Sequence, residues 1–258
     1  MFIQQILHKP ELSKADIVCL LNATGEDMGL LFNHAARIKQ QYIGNTVHLR
    51  ALVELSNSCE KDCYYCGIRK SNSNVHRYSI SENEVLEVIK YAYENGYGSV
   101  ALQSGEIQSN AFTEKITRIL QKTSKLTHGE LGVTLSCGEQ TEETYRKWME
   151  AGANRYLLRI ETSNPELYRK LHPNDDIHRF ERRLEALEML KKTGYQVGTG
   201  VMIGLPFQTI ENLADDLLFM KQFDIDMCGM GPYIEHHETP LFAYKDSLMP
   251  LKERFNLS

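Results

Sequence analysis

The stretch VHLRALVELSNSCEKDCYYC, residues 47–66, sets the reading of the whole chain. Its first part, residues 47–55, is rich in apolar and β-branched residues without helical spacing, the pattern of a strand. That strand runs directly into Cys59, Cys63 and Cys66, three of the six cysteines in the chain, at C-x3-C-x2-C spacing. Three thiolates form an incomplete cage. Soft thiolates select zinc, copper(I) or an iron–sulfur cluster, and a 4Fe-4S cluster held by three cysteines leaves one iron open to another ligand. Structural zinc takes four protein ligands, usually as two paired motifs, and the sequence has no second C-x-x-C.

Downstream the period alternates. Ser81 with Glu84 caps a helix carrying Val85, Val88, Ile89 and Ala92, and Gly96 ends it. Further helices carry Phe112, Ile116, Ile119 and Leu120, then Tyr145, Trp148 and Met149 before Gly152, then residues 177–193 before Gly194, then Ile210, Leu213, Leu217 and Leu218. Between them residues 99–103, 131–136, 155–160, 196–203 and 226–230 read as strands. The alternation predicts right-handed crossovers and a TIM-barrel-like parallel (β/α) barrel of the α/β class. Six βα units are visible, and an eightfold barrel needs roughly 60 more residues, so the pattern is that of a three-quarter barrel or of a chain cut short. Residues 1–46 form a helical preface, with a capping box at Ser13 and Asp16 and a second helix over 26–42, and residues 47–258 form the partial barrel.

The composition is that of an ordinary globular chain, 42% hydrophobic and 24% charged over 258 residues. No apolar run reaches the ~20 residues that span a bilayer, and residues 1–10 lack the features of a secretory signal, so a cytoplasmic protein with no membrane association is expected. A net charge of −5 gives no basic field for nucleic acid. Cys19, Cys137 and Cys228 are widely spaced and read as small buried hydrophobes, not as disulfide partners. His236 and His237 could ligate a metal, although adjacent loop histidines are commonly just solvated.

In parallel barrels the active site lies at the C-terminal ends of the strands. There the sequence places the cysteine loop, Gln103-Ser104-Gly105-Glu106, Thr134-Leu135-Ser136, Arg159 with Glu161, Gly204-Leu205-Pro206 and Gly229-Met230-Gly231-Pro232. Gly105 permits close backbone approach, Glu106 and Glu161 offer carboxylates to an ammonium group, and Arg159 and Arg183 can fork a carboxylate. Arg50 and Arg155 lie on the first and fourth strands.

The C-x3-C-x-aromatic-C loop, with Tyr65 as the aromatic, resembles that of the radical S-adenosylmethionine (SAM) superfamily. More specifically, RALVELSNSC, QSGE, VTLS, RYLLRIET, GLP-x-QTI, DDLLF and GMGP-x-I-x-H-x-x-TPL resemble HydE-type iron-iron hydrogenase maturases across residues 30–245. Biotin synthase and methylornithine synthase belong to the same branch. The resemblance implies a 4Fe-4S cluster on Cys59, Cys63 and Cys66, with SAM chelating the fourth iron through its amino and carboxylate groups. An electron then cleaves SAM to methionine and a 5′-deoxyadenosyl radical. It implies further that Gly105 and Glu106 contact the SAM amino group, that Glu161 assists, that Arg183 pairs with the carboxylate, and that Tyr65, Gln103 and Ser136 complete the cofactor site. Arg50, Thr134, Arg155, Arg159 and Met227 would face the substrate cavity, their basic groups suited to an anionic, cysteine-derived iron complex. A ferredoxin or flavodoxin as electron donor and other hydrogenase maturation proteins are the implied partners. At Phe207 the chain departs from the family, where a glycine is usual. The last two βα units, and any cysteines there for a second cluster, would follow residue 258. A methylornithine-synthase-like or biotin-synthase-like radical SAM enzyme acting on a small amino-acid-type substrate, and a non-catalytic iron–sulfur carrier, are the competing functions.

Overall fold

The structure, a computed structural model, describes residues 3–257. Three helices come first: α1 (Ile3–Leu7), α2 (Lys14–Leu21) and α3 (Gly25–Tyr42). The chain then alternates: β1 (Ala51–Ser56), α4 (Glu82–Glu94), β2 (Ser99–Ser104), α5 (Asn110–Leu126), β3 (Gly132–Ser136), α6 (Glu142–Glu150) and β4 (Arg155–Leu157). It continues with α7 (Pro165–Leu171), α8 (Phe180–Thr193), β5 (Gln196–Ile203), α9 (Ile210–Phe223), β6 (Met227–Pro232) and α10 (Leu251–Asn256). The six strands pair in parallel in chain order, β1-β2-β3-β4-β5-β6. That is the wall of a (β/α) barrel, as the alternation of periods predicts.

Strand register divides the sheet into two faces with different jobs. One face carries Val53, Leu55, Val100, Leu102, Val133, Leu135, Tyr156 and Val201, packed against Val85, Ile89, Ile116, Ile119, Trp148, Leu187 and Leu190 of the helices. Each such side chain, fully buried, contributes about 1.5–3 kcal/mol of transfer free energy. The buried Trp148 ring also donates its indole N–H to Thr113 O at 3.1 Å. On the other face, register aligns Leu52, Ala101, Thr134, Arg155 and Gln196 in one row. Glu54, Gln103 and Ser136 align in the next, and Leu157, Gly198 and Met227 continue across β4 to β6. This polar and glycine-lined face is where a ligand cavity can form.

Of the N-terminal helices, α2 packs on α9, where Lys14 pairs with Asp215 at 2.6 Å, whereas α3 fully buries no side chain and rests Leu30 and Leu31 on Ile3, Ile6 and Leu20. The capping boxes at Ser13/Asp16 and Ser81/Glu84 form as expected. No described helix is long and apolar enough to cross a membrane.

Three of the boundaries that differ from the sequence reading have a plain physical reason, and one helix, α7, is new. The first strand starts at Ala51, because its ladder with β2 begins at Ala51↔Val100 and Val47 and Leu49 lie exposed ahead of it. The fourth strand stops at Leu157, and the chain then bends to Glu161, whose φ of 63° is left-handed. The helix expected over 177–193 is split: Asp175 caps a 3-10 turn at Asp176–His178, and extended Arg179 precedes α8. The helix α7 carries its own signal, an Asn164 cap and Pro165 in the first turn. Cys137 is buried, but Cys19 and Cys228 are exposed. Cys228 lies on β6, the edge strand of the sheet among the described residues.

Candidate functional site

The cysteine loop leaves β1 at Ser56 and is laced to the end of β2. Gly105 donates its N–H to Ser56 O at 3.1 Å, and Glu60 donates to Glu106 O at 2.8 Å. The Glu106 N–H points at Cys59 Sγ, 3.3 Å away. A Cβ on Gly105 would lie 2.2 Å from Ser58 O and 2.8 Å from Cys59 Cβ, so only glycine lets the two backbones approach this closely. On the other side Arg77 gathers four carbonyls, donating to Asn57 O, Ile68 O, Arg69 O and Asn72 O. The loop is therefore fixed by backbone geometry.

Cys63 is buried, and Cys59 and Cys66 are half-buried. Burial pushes all three thiols up, Cys63 to about 12; the Glu106 charge adds to the rise at Cys59, and neighbouring cysteines add to it at Cys63 and Cys66. Soft sulfur, a backbone N–H on Cys59, and the Arg183 charge beside Cys63 together fit an anionic thiolate-held cluster. Binding it would release the thiol protons.

Beside the loop lies a buried ionic lattice. Lys61, between Cys59 and Cys63 in sequence, is 4% exposed and pairs with Glu139 at 2.9 Å and Glu106 at 3.2 Å. Arg183 donates through Nε to Glu139 at 2.6 Å and through Nη1 to Arg159 O at 2.6 Å. Burial and the Glu139 charge push the Glu106 carboxyl up. Burial alone would raise Glu139 as well, but Arg183 and Lys61 hold it below its ordinary value. The Glu106 carboxylate thus faces Lys61 and the Glu139 N–H.

Tyr65 stands at the centre of the convergence. Its hydroxyl lies 3.3 Å from His172 Nε2, and its charge environment includes Cys63, Glu161 and Arg183. His172 stacks on Tyr168 at 3.9 Å, and its Nδ1 lies 2.8 Å from Tyr168 O. A carbonyl only accepts, so Nδ1 carries the hydrogen and Nε2 accepts from Tyr65. Burial lowers His172 to about 3, which keeps it neutral. Glu161 sits close enough to raise Cys66, and it pairs with Arg159 Nε at 3.0 Å. A left-handed glutamate costs about 1–2 kcal/mol, a strain of the kind that collects at functional sites. Arg159 Nη2 donates to Val201 O at 2.8 Å, and Arg183, engaged at Nε and Nη1, also pairs through Nη2 with Glu106 at 3.9 Å.

The residues singled out in the sequence separate into two groups. Cys59, Cys63, Cys66, Tyr65, Gly105, Glu106, Arg159, Glu161 and Arg183 gather at the C-terminal ends of the strands, with Gln103 and Ser136 on the adjoining row of the open face. Arg50, Arg155 and Met227 lie at the opposite, N-terminal mouth, where Ser99, Gln196 and Asp226 complete a cavity of about 980 Å³. Thr134 stands between the two ends, in register with Arg155, 1% exposed and with no partner for Oγ1 among the described residues. Lys61, Glu139, Arg77 and His172 escape a sequence reading that stops at strand ends. The Gly138-Glu139 pair nonetheless repeats the Gly105-Glu106 pattern one strand over, and a Cβ on Gly138 would collide with Glu106 Cγ at 2.4 Å.

Residues 53–220 match the sequence model of the Radical SAM superfamily. The [FeFe] hydrogenase maturase subunit HydE of Thermotoga maritima is 47% identical over 211 residues, which cover 82% of this chain and 59% of that one. The 3-methylornithine synthase of Methanosarcina acetivorans is 28% identical over 249 residues, 95% of this chain and 69% of that one. Among solved structures, methylornithine synthase superposes with a TM-score of 0.85 at 26% identity, covering 98% of this chain and 73% of that one. The maturase HydG, at 23% identity and a TM-score of 0.78, shares the fold over 99% of this chain and 58% of its own. The chain spans about three fifths of the length of the HydE maturase.

Proposed function

Because the chain belongs to the radical SAM superfamily, we propose that Cys59, Cys63 and Cys66 hold a 4Fe-4S cluster with one open iron, in a HydE-type enzyme of iron-iron hydrogenase cofactor maturation. When bound, the cluster supplies the electron that splits the SAM sulfonium into methionine and a 5′-deoxyadenosyl radical. The convergence of Tyr65, Glu161 and Arg183 on Cys63 and Cys66 carries this reading. Glu161 receives the SAM ammonium, and the Arg159 and Arg183 guanidinium groups receive its carboxylate, each as a charge-assisted hydrogen bond. The Gly105 segment holds Cys59 in place against the approaching ligand. Lys61 and Glu139 act one layer out, fixing the loop and Arg183 relative to each other.

Identity of 47% with HydE supports a maturase substrate, an anionic iron complex. Thr134, between the two ends of the open face, with Arg50, Arg155 and Met227 at its N-terminal mouth, would hold it. A ferredoxin or flavodoxin would deliver electrons, and other maturation proteins would consume the product. The superposition on methylornithine synthase supports a second reading, a mutase acting on an amino acid. In-vitro maturation of iron-iron hydrogenase, with and without this chain, separates the two. Hydrogen production that depends on the chain is expected. Turnover of lysine to a branched isomer, with no effect on the hydrogenase, would transfer the assignment to the mutase class.

A further inference from the structure

We propose that Phe207, Tyr244 and Lys170 form the docking surface for an acidic one-electron protein reductant. This rests on the reading of the cysteine loop as the holder of a reducible cluster.

Phe207 is anomalous twice over. Its φ of 69° lies in the left-handed region that favours glycine, and its ring is 45% exposed. A glycine would relieve the backbone strain and remove an apolar ring from water, so folding gives no reason for the phenyl group. The ring is not alone. Tyr244, 43% exposed, packs edge-on against it at 4.7 Å, and Lys170 Nζ lies over its face at 5.2 Å. Lys245 covers the neighbouring Phe242 ring at 5.0 Å, and Arg169 is exposed beside Lys170. The carboxylates exposed on the same segments are Glu166 and Asp246. The surface is thus aromatic with Arg169, Lys170 and Lys245 against Glu166 and Asp246, in a chain whose net charge is −5.

Its position suits electron delivery. Beneath the patch Leu167, Leu171, Leu205 and Leu241 form a buried apolar layer that also contacts Tyr64 and Tyr65. Tyr64, between Cys63 and Cys66, donates its N–H to Leu171 O at 2.9 Å and accepts from Leu241 N–H at 3.1 Å. One apolar layer therefore separates the patch from the cysteine turn. Transient redox partners bury little surface, below about 1,200 Å², and rely on charge for fast encounter. A small ring pair crowned by lysine meets both needs. One electron passes from the reduced partner to the cluster, the partner is oxidised by one electron, and no atom is exchanged.

The test is stopped-flow reduction of the reconstituted full chain by chemically reduced flavodoxin and, in parallel, by dithionite. Phe207→Gly is expected to keep or raise Tm while slowing flavodoxin-driven reduction about tenfold, with the dithionite rate unchanged. Lys170→Glu is expected to slow it similarly and to flatten the fall of the wild-type rate with salt. Wild-type flavodoxin rates in both variants would overturn the proposal. Failure of dithionite to reduce wild-type protein would instead sink the cluster reading, and the docking surface with it.

Discussion

Replacing Gly105 by alanine tests how closely the cysteine loop must approach the end of β2. The added methyl would lie 2.2 Å from Ser58 O and 2.8 Å from Cys59 Cβ, against an ordinary contact of at least 3.4 Å. The backbone carrying Cys59 must therefore retreat by about 1.2 Å, since the nearest obstacle is main chain and cannot rotate away. Overpacking of this kind costs about 1–3 kcal/mol of stability, within what a domain of this size tolerates. The functional loss should be larger. A misplacement of about 1 Å at a reacting centre costs roughly a hundredfold in rate, and it also disturbs the Glu106 N–H contact to Cys59 Sγ. The variant should fold, with Tm lowered by a few degrees, yet bind substoichiometric iron and sulfide after anaerobic reconstitution. It should form 5′-deoxyadenosine at least a hundredfold more slowly. Gly29→Ala, where a Cβ meets nothing within 4 Å, serves as the control. A Gly105→Ala protein with a full cluster and the wild-type rate would refute the geometric argument.

Glu139→Gln leaves two buried cations, Lys61 and Arg183, sharing the single carboxylate of Glu106, a loss of about 3–5 kcal/mol. Chemical denaturation should show it, and kinetics should show a higher KM for SAM with cluster iron retained; an unchanged KM would remove Glu139 from its positioning role. His172 is held at about 3 by burial, so the unfolded chain takes up a proton first as pH falls below 6.5. Its contribution to stability is complete above pH 6.5 and is lost towards pH 3, about 2 kcal/mol of it by pH 5. Urea unfolding of His172→Gln should have a flatter acid limb than wild type, and parallel curves would contradict this. Trp148→Ala removes a fully buried ring and should cost about 3–5 kcal/mol, measured in the same unfolding assay.

Much of this was legible in the sequence because it rests on local chemistry. Periodicity marks the βα alternation, since a helix and a strand bury different faces, and the cysteine spacing needs no tertiary context. The cap-and-glycine signals at Ser81 and Gly96 locate α4 for the same reason. Tertiary pairing was not legible. That Lys61 folds inward to meet Glu139 depends on two loops 78 residues apart in sequence. That Arg50 and Arg155 stand at the mouth remote from the cysteines depends on where pairing starts in β1 and β4. Glu161 illustrates the middle case: its type suggested ammonium binding, but its left-handed backbone, which aims it, is imposed by β5 through the hydrogen bond from Glu161 N–H to Gly200 O.

The central claim is that three cysteines hold a cluster whose open iron takes SAM. It is tested most directly by EPR of the anaerobically reconstituted, reduced chain before and after adding SAM, with product analysis of the same sample. The expected result is about four irons and four sulfides per chain, a signal that shifts on SAM addition, and 5′-deoxyadenosine in the product. A colourless zinc-loaded protein, or a cluster whose signal SAM leaves unchanged with no nucleoside formed, would contradict it.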